Sequence, residues 1–341
     1  MLALVKAEES VGLWMRDVPT PEIMENEVLI KIHKTGICGT DLHIWNWDGW
    51  AQKNIPVPQI VGHEYSGVIV ELGRNVKNLR LGQRVTGEGH LVDLNCRASR
   101  AGCFHLDPHT RSVGVNHPGA FAEYLALPAF NVVPLPDEID DELGAILDPL
   151  GNAVHTALAF DVTGNDVVIT GAGPVGIMAA AVARHAGAGR IFIADLEPFR
   201  LDLACRLVDV IPIDIRQNSL ADAARLYGLK EGYDIGFEMS GSSSALDSLI
   251  ESIATGGRLA CLGLPAASIT IKWEAVVCKS LRIEGIYGRE MFETWRKMLS
   301  MLSGGLQVKG IITHRFAVEN FSQAFNTMSA GQSGKIILNW C

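Results

Sequence analysis

The chain has 341 residues, 48% of them hydrophobic and 20% charged, with a formal net charge of −9. That length suits two domains, and the composition is that of a soluble globular protein. Acidic and basic residues are mixed along the chain, which argues against nonspecific nucleic-acid binding, since phosphate contacts need clustered Lys and Arg.

The opening segment, Met1 to Glu9, has too short an apolar run for a signal peptide and no basic stretch before it. The longest apolar stretch, Val175 to Ala183, is one buried helix long and well short of a membrane span. A cytoplasmic protein with no membrane partner is expected. Seven cysteines (38, 96, 103, 205, 261, 278 and 341) are an odd number without framework spacing. They read as thiols or metal ligands rather than disulfides.

The first 145 or so residues hold short strand-like runs broken by Gly and Pro. Val28 to Ile32 and Gly67 to Gly73 show the alternation, and a mostly antiparallel β domain is predicted. Within it lie Cys38-Gly39-Thr40-Asp41-Leu42-His43 and Gly62-His63-Glu64-Tyr65-Ser66-Gly67. Cys38, His63 and Glu64 are a thiolate, an imidazole and a carboxylate. Three ligands of that mixed type suit a catalytic zinc that keeps one position open. Taken singly, Cys38 reads as a small buried apolar residue and His63 as a structural histidine. Glycines 62 and 67 change this by letting the backbone bend while it presents two adjacent ligands. Thr40 and His43, two and five positions after Cys38, offer a hydroxyl and an imidazole for a proton relay through the cofactor ribose. The competing readings are a turn residue and a surface residue.

The texture changes near Asp148-Pro149. From Asp166 onward short buried strands alternate with helices, the βαβ pattern of a parallel sheet in an α/β domain. Strand 166–170 feeds into Gly171-x-Gly173-x-x-Gly176, with Pro174 in the first helical turn. The first glycine allows the turn, the second the approach of a pyrophosphate, and the third close helix–sheet packing. The pyrophosphate sits on the helix N-terminus. Asp195 ends the next strand, where a carboxylate accepts from both ribose hydroxyls and repels a 2′-phosphate, so NAD is favoured over NADP. Arg200 either serves a 2′-phosphate or packs near the adenine. Residues 233–238 and 258–263 read as later strands, 291–303 as a helix and 335–338 as a final strand, with the tail returning to the first domain.

Gly62-His63-Glu64-x-x-Gly67-x5-Gly73-x-x-Val76 resembles the signature of the zinc-containing alcohol dehydrogenases of the medium-chain dehydrogenase/reductase superfamily. Residues 37–43, Phe121-Ala122-Glu123-Tyr124 and Asp148-Pro149 resemble the branch that oxidises polyols and L-threonine. Longer strings at 43–48, 87–90, 151–156, 285–295 and 329–335 resemble its threonine-oxidising members, end to end and without evident gaps. The resemblance implies a GroES-like β-rich catalytic domain (1–147 and 290–341), a Rossmann doubly wound parallel-sheet domain (148–289) and a homotetramer. It implies zinc on Cys38, His63 and Glu64, a relay of Thr40 and His43, Asp148 close to the metal and His90 near the substrate. Gly171, Gly173, Val175, Gly176, Asp195, Arg200, Leu262, Gly263, Leu264, Ile286 and Tyr287 would contact NAD. The implied reaction takes the C3 hydroxyl of the small-molecule substrate L-threonine to 2-amino-3-oxobutanoate. The alternatives are polyol or butanediol oxidation and a catalytically silent NAD-binding protein.

One region departs from the family pattern. Where the family commonly carries four cysteines around a structural zinc, this chain has Asp93, Cys96, Ser99 and Asp107. One thiolate makes a poor closed site, so one zinc per chain is expected. Cys103, His105 and His109 offer Cys96 a rearranged site as the alternative.

Overall fold

A computed structural model describes residues 1–265 and 268–340. The chain divides into two compact units, Met1–Pro149 with Ile312–Cys341, and Leu150–Ile311.

In the first unit a seven-stranded sheet runs in the order Val132–Pro134, Arg84–Gly87, Glu64–Leu72, Glu27–Gly36, Lys335–Asn339, Ile312–Ala317, with Tyr124–Pro128 paired onto Glu27–Gly36. All pairings are antiparallel except that of the last two strands. Val28, Ile30 and Ile32 recur every second residue and pack with Tyr65, Ile69, Val85, Leu125 and Leu127 in one core. A second core joins Leu4, Ile37, Ile44, Val61 and Phe121 to Phe325, Ile336 and Leu338 of the returning tail. Strand Glu27–Gly36 therefore lies between two partners remote in sequence, with Gly36 opposite Glu64 on one side and Ile337 on the other.

The second unit is built on a six-stranded parallel sheet. Its order is Ile211–Asp214, Ile191–Asp195, Val167–Thr170, Tyr233–Glu238, Ile253–Cys261, Arg282–Gly285. Numbered along the chain, this is 3-2-1-4-5-6, the order that places a crevice for a dinucleotide where strand sequence reverses. The central strands are buried along their whole length, as strands covered on both faces must be. Helix Pro174–His185 buries Gly176 through Ala183, the apolar stretch noted in the sequence.

The tail rejoins the first unit at Ile312, later than the expected 290. Helix Glu293–Ser303 buries Trp295 and Met298; a side chain at Gly310 would run into Leu207 of the second unit, and one at Gly304 would touch His185. Residues 290–311 are thus tied to the parallel-sheet unit by packing. Among the described residues no helix is long and apolar enough to cross a membrane. Six cysteines are free, and Cys341 lies outside the described residues.

Candidate metal centre and cofactor turn

Cys38 caps the N-terminus of helix Gly39–Asn46 in an extended conformation, and its N–H donates to Asp41 Oδ2 at 2.9 Å. Gly62 turns the chain at φ +88° just before strand Glu64–Leu72, so His63 and Glu64 leave the turn together. The ligand atoms of Cys38, His63 and Glu64 all lie within 4.8 Å of one another. Thr40 Oγ1 is 3.9 Å from Cys38 Sγ. His43 sits one turn further on the same helix, at the i, i+3 spacing that makes two side chains neighbours. His43 is exposed, with 54% of its side chain accessible.

The surroundings are strongly charged and closed. Asp41 and Glu64 are fully buried, and Asp148, in the first turn of helix Leu147–Ala157, is nearly so. Burial pushes the carboxyls of Asp41 and Glu64 up, and the opposite charges nearby only partly pull them back. Burial would lower the His63 imidazole, but Asp41, Cys38 and Asp148 hold it well above its ordinary value. Lys335 is the buried ammonium here. It donates to Glu64 Oε1 at 2.6 Å and to Ile37 O at 2.8 Å, and burial fails to depress it because Glu64, Cys38 and Asp41 favour its charge. Gly36 leaves room for this pair, since a Cβ there would stand 2.2 Å from Glu64 Oε2.

These residues fit a divalent cation. Two buried polar atoms lack partners and face each other, His63 Nδ1 and Asp41 Oδ1, 3.6 Å apart. An imidazole that ligates through Nε2 and gives its Nδ1–H to a carboxylate has this arrangement. The pocket also sets three carboxylates and a thiol against one ammonium and one imidazole, an excess of acidic groups that an added dication offsets. Thiol, imidazole and carboxylate together suit zinc.

His90 belongs to the same unit. Its Nδ1 is 3.2 Å from Glu88 Oε1, and Glu88 is fully buried. Asn131 Nδ2 donates to the carbonyls of Glu88 and His90 at 2.9 and 2.8 Å and fixes that turn. Asp41, Glu88 and Lys335 are site neighbours that the sequence reading did not single out. The first has a signal, the i, i+3 spacing from Cys38 that makes a capping box.

The segment from 93 to 109 is organised differently. The Asp107 carboxylate accepts from Asp93 N at 2.6 Å and from His109 N at 2.9 Å. Asp93 Oδ1 accepts from Asn95 N, and Cys96 Sγ is 3.3 Å from both the N and the Oγ of Ser99. Burial raises the Asp107 carboxyl, but the N–H groups of His109 and Asp93 and the Cys96 thiol outweigh it and keep it below the usual range. Among the described residues, Cys38, His63 and Glu64 form the one group of three or more potential ligands brought together, and Cys103, His105 and His109 do not join Cys96 in another. Leu91 is buried and Phe104 meets Phe130 edge-on, while Leu94 and Leu106 face solvent.

In the second unit the glycine turn has the form its spacing requires. Gly171 lies at φ +97°, and a Cβ on Gly176 would stand 1.9 Å from Gly171 O. Gly173 is the N-cap of helix Pro174–His185, whose first N–H groups have no side-chain cap. Val175 is half-buried in the first turn. Asp195 Oδ2 accepts from Ala172 N at 2.7 Å and Oδ1 from Glu197 N at 2.9 Å, which leaves each oxygen a further lone pair. Arg200 approaches Asp195 to 3.8 Å. Leu262 and Gly263 donate their N–H groups to Glu238 O, Leu264 and Tyr287 are exposed, and Ile286 is buried. Turn, acidic residue and strand ends thus form one edge of the parallel sheet, the face that binds dinucleotides in this topology.

Residues 24–137 match the alcohol dehydrogenase GroES-like domain, and residues 174–304 match the zinc-binding dehydrogenase domain. The chain is 58% identical over its full length to the whole of an L-threonine 3-dehydrogenase from Ruegeria pomeroyi. It is 54% identical, over 100% of this chain and 99% of the relative, to an L-threonine 3-dehydrogenase from Aeromonas hydrophila. An alcohol dehydrogenase from Thermus sp. ATN1 superposes with a TM-score of 0.91 at 26% identity, covering 99% of each chain. The chain belongs to the zinc-binding alcohol dehydrogenase family, in the branch of its L-threonine 3-dehydrogenase relatives.

Proposed function

We propose that this protein oxidises the C3 hydroxyl of L-threonine to 2-amino-3-oxobutanoate while NAD is reduced. The observation that carries this reading is the convergence of Cys38, His63 and Glu64 in a chain similar end to end to L-threonine 3-dehydrogenases. Zinc held by Cys38, His63 and Glu64 would supply the Lewis acidity that makes the C3 hydroxyl acidic at neutral pH. Asp41 orients His63, and Lys335 holds the Glu64 carboxylate. Thr40 takes up the hydroxyl proton and His43, half in solvent, releases it. Asp148 adds negative charge beside His63, and His90, steadied by Glu88, faces substrate. In the second unit, the spare lone pairs of Asp195 accept from the ribose hydroxyls of NAD, the hydride acceptor, and Leu262, Gly263, Leu264, Ile286 and Tyr287 flank it.

One zinc per chain is our reading of residues 93–109, because Asp93 and Asp107 already serve backbone N–H groups. We place the protein in the cytoplasm as a homotetramer. An edge strand, Arg282–Gly285, exposed along its length supports assembly, because its open backbone groups favour pairing. The test compares kcat/KM for L-threonine and 2,3-butanediol, each with NAD and NADP. The expected result is the highest value for L-threonine with NAD. Faster turnover of the diol would overturn the substrate, and equal use of NADP would overturn the role of Asp195.

A further inference from the structure

Helix Gly39–Asn46 ends at Trp47, which lies in the left-handed region at φ 51°, ψ 44°. A bulky residue rarely adopts that conformation. Here it is held from outside the helix. The buried ammonium of Lys6 stands 4.8 Å over the Trp47 ring and donates to the carbonyl of Gly12 at 3.0 Å. The reversal at Trp47 brings Asp48 back over the end of the helix, where its N–H lies 3.4 Å from His43 O. Asp48 then uses its two oxygens for different tasks. Oδ1 accepts the N–H groups of Trp50 and Ala51, both at 3.0 Å. Oδ2 is hydrogen-bonded to His43 Nδ1.

An ionised carboxylate only accepts, so Nδ1 of His43 carries the proton in this pair. In the neutral ring the remaining lone pair is then on Nε2. The carboxylate is fixed by two backbone donors before it meets the imidazole, so it sets both the tautomer and the ring's orientation. We infer that Asp48 is a positioning residue of the proton path: it keeps His43 in the tautomer whose Nε2 can take a proton, and it steadies the imidazolium that forms. This rests on the reading of His43 as the outer member of the relay with Thr40.

The test uses the zinc-loaded enzyme and L-threonine. Asn caps a turn as well as Asp does. Asp48→Asn therefore keeps an oxygen for Trp50 and Ala51 but sets an amide N–H against Nδ1, which forces the ring proton to Nε2. We expect kcat to fall about 10- to 100-fold, less than the roughly 10²–10⁴-fold that general-base assistance itself supplies, because the imidazole remains, with KM for threonine and the thermal midpoint little changed. Nitrogen-15 spectra of the imidazoles, assigned by loss of one signal in His43→Asn, should show the His43 proton moving from Nδ1 to Nε2. In a His43→Asn background, Asp48→Asn should cost almost nothing more, as expected for residues that act as a unit. A slow His43→Asn enzyme beside an unchanged Asp48→Asn enzyme would overturn the inference and leave the relay standing. Equal losses from Asp48→Asn in both backgrounds, with a lowered thermal midpoint, would overturn it in favour of a folding role. An unchanged kcat in His43→Asn would overturn the relay reading, and the role of Asp48 with it.

Discussion

Residues 38–64 and residues 93–109 belong to the same unit and draw on the same chemistry of thiol, carboxylate and imidazole, yet only the first stretch gathers its ligand atoms. The difference lies in what else each carboxylate can bind. Glu64 leaves the start of a buried strand, and its nearest donor is the ammonium of Lys335 from across the sheet. Asp93 and Asp107 sit in a segment whose own backbone N–H groups reach them first, those of Asn95, His109 and Asp93 itself. A carboxylate served by its local backbone is a cap. One carried on a rigid element away from such donors needs a cation.

That contrast can be broken most severely at Cys38. Cys38→Ser removes the one thiolate of the first group. Metal and turnover should be lost together, beyond the roughly 10- to 100-fold cost of changing a residue behind the ligands. Elemental analysis beside an NADH assay checks this, and full zinc content in the variant would refute the ligand set. The next effect is expected at Lys335. Lys335→Met strands the Glu64 charge in a closed pocket, and breaking a buried pair by removing one partner typically costs about 3–5 kcal/mol. The urea midpoint should fall by most in chelator-treated protein and by less in zinc-loaded protein, where the metal replaces the missing charge. The smallest effect belongs to the second stretch. Asp107→Ala should cost about 1.5–3 kcal/mol, the worth of a hydrogen bond to a charged acceptor, and leave zinc content unchanged. Since the folded-state pKa of Asp107 is depressed, its contribution is present above the unfolded value of about 4 and is lost as pH falls through the folded one. Amide protection across 93–109, relative to the unfolded-chain rate at each pH, should fall below that pH in the parent protein, and already at neutral pH in Asp107→Ala.

The parts legible in the sequence are those that depend on near neighbours. The turn at Gly171, Gly173 and Gly176 needs only a strand before it and a helix after it. The alternation Val28, Ile30, Ile32 names a buried face on its own. Cys38, His63 and Glu64 were legible because residue types so suited to zinc recur with glycines that bend the chain. Lys335 was not, because nothing near it in sequence marks it as the counter-charge of a residue 271 positions away. Nor was the attachment of residues 290–311. The helical period of 293–303 is visible, but the surface that receives Trp295 and Met298 is set by packing remote in sequence. Asp48 falls between these cases, since its distance from His43 is short but the left-handed turn at Trp47 that joins them is unusual for that residue.

The separation of 271 positions between Glu64 and Lys335 also orders events in time. On a ribosome adding roughly 5–20 residues per second, Glu64 is made about 14–54 s before its ammonium partner. All of Leu150–Ile311, one uninterrupted segment, is synthesised in that interval and can close its parallel sheet meanwhile. Throughout it the nascent first unit lacks strand Lys335–Asn339, and Glu64 lacks its native counter-charge. A metal ion captured early would supply that charge, so zinc availability during translation should affect the yield of native enzyme as well as its activity.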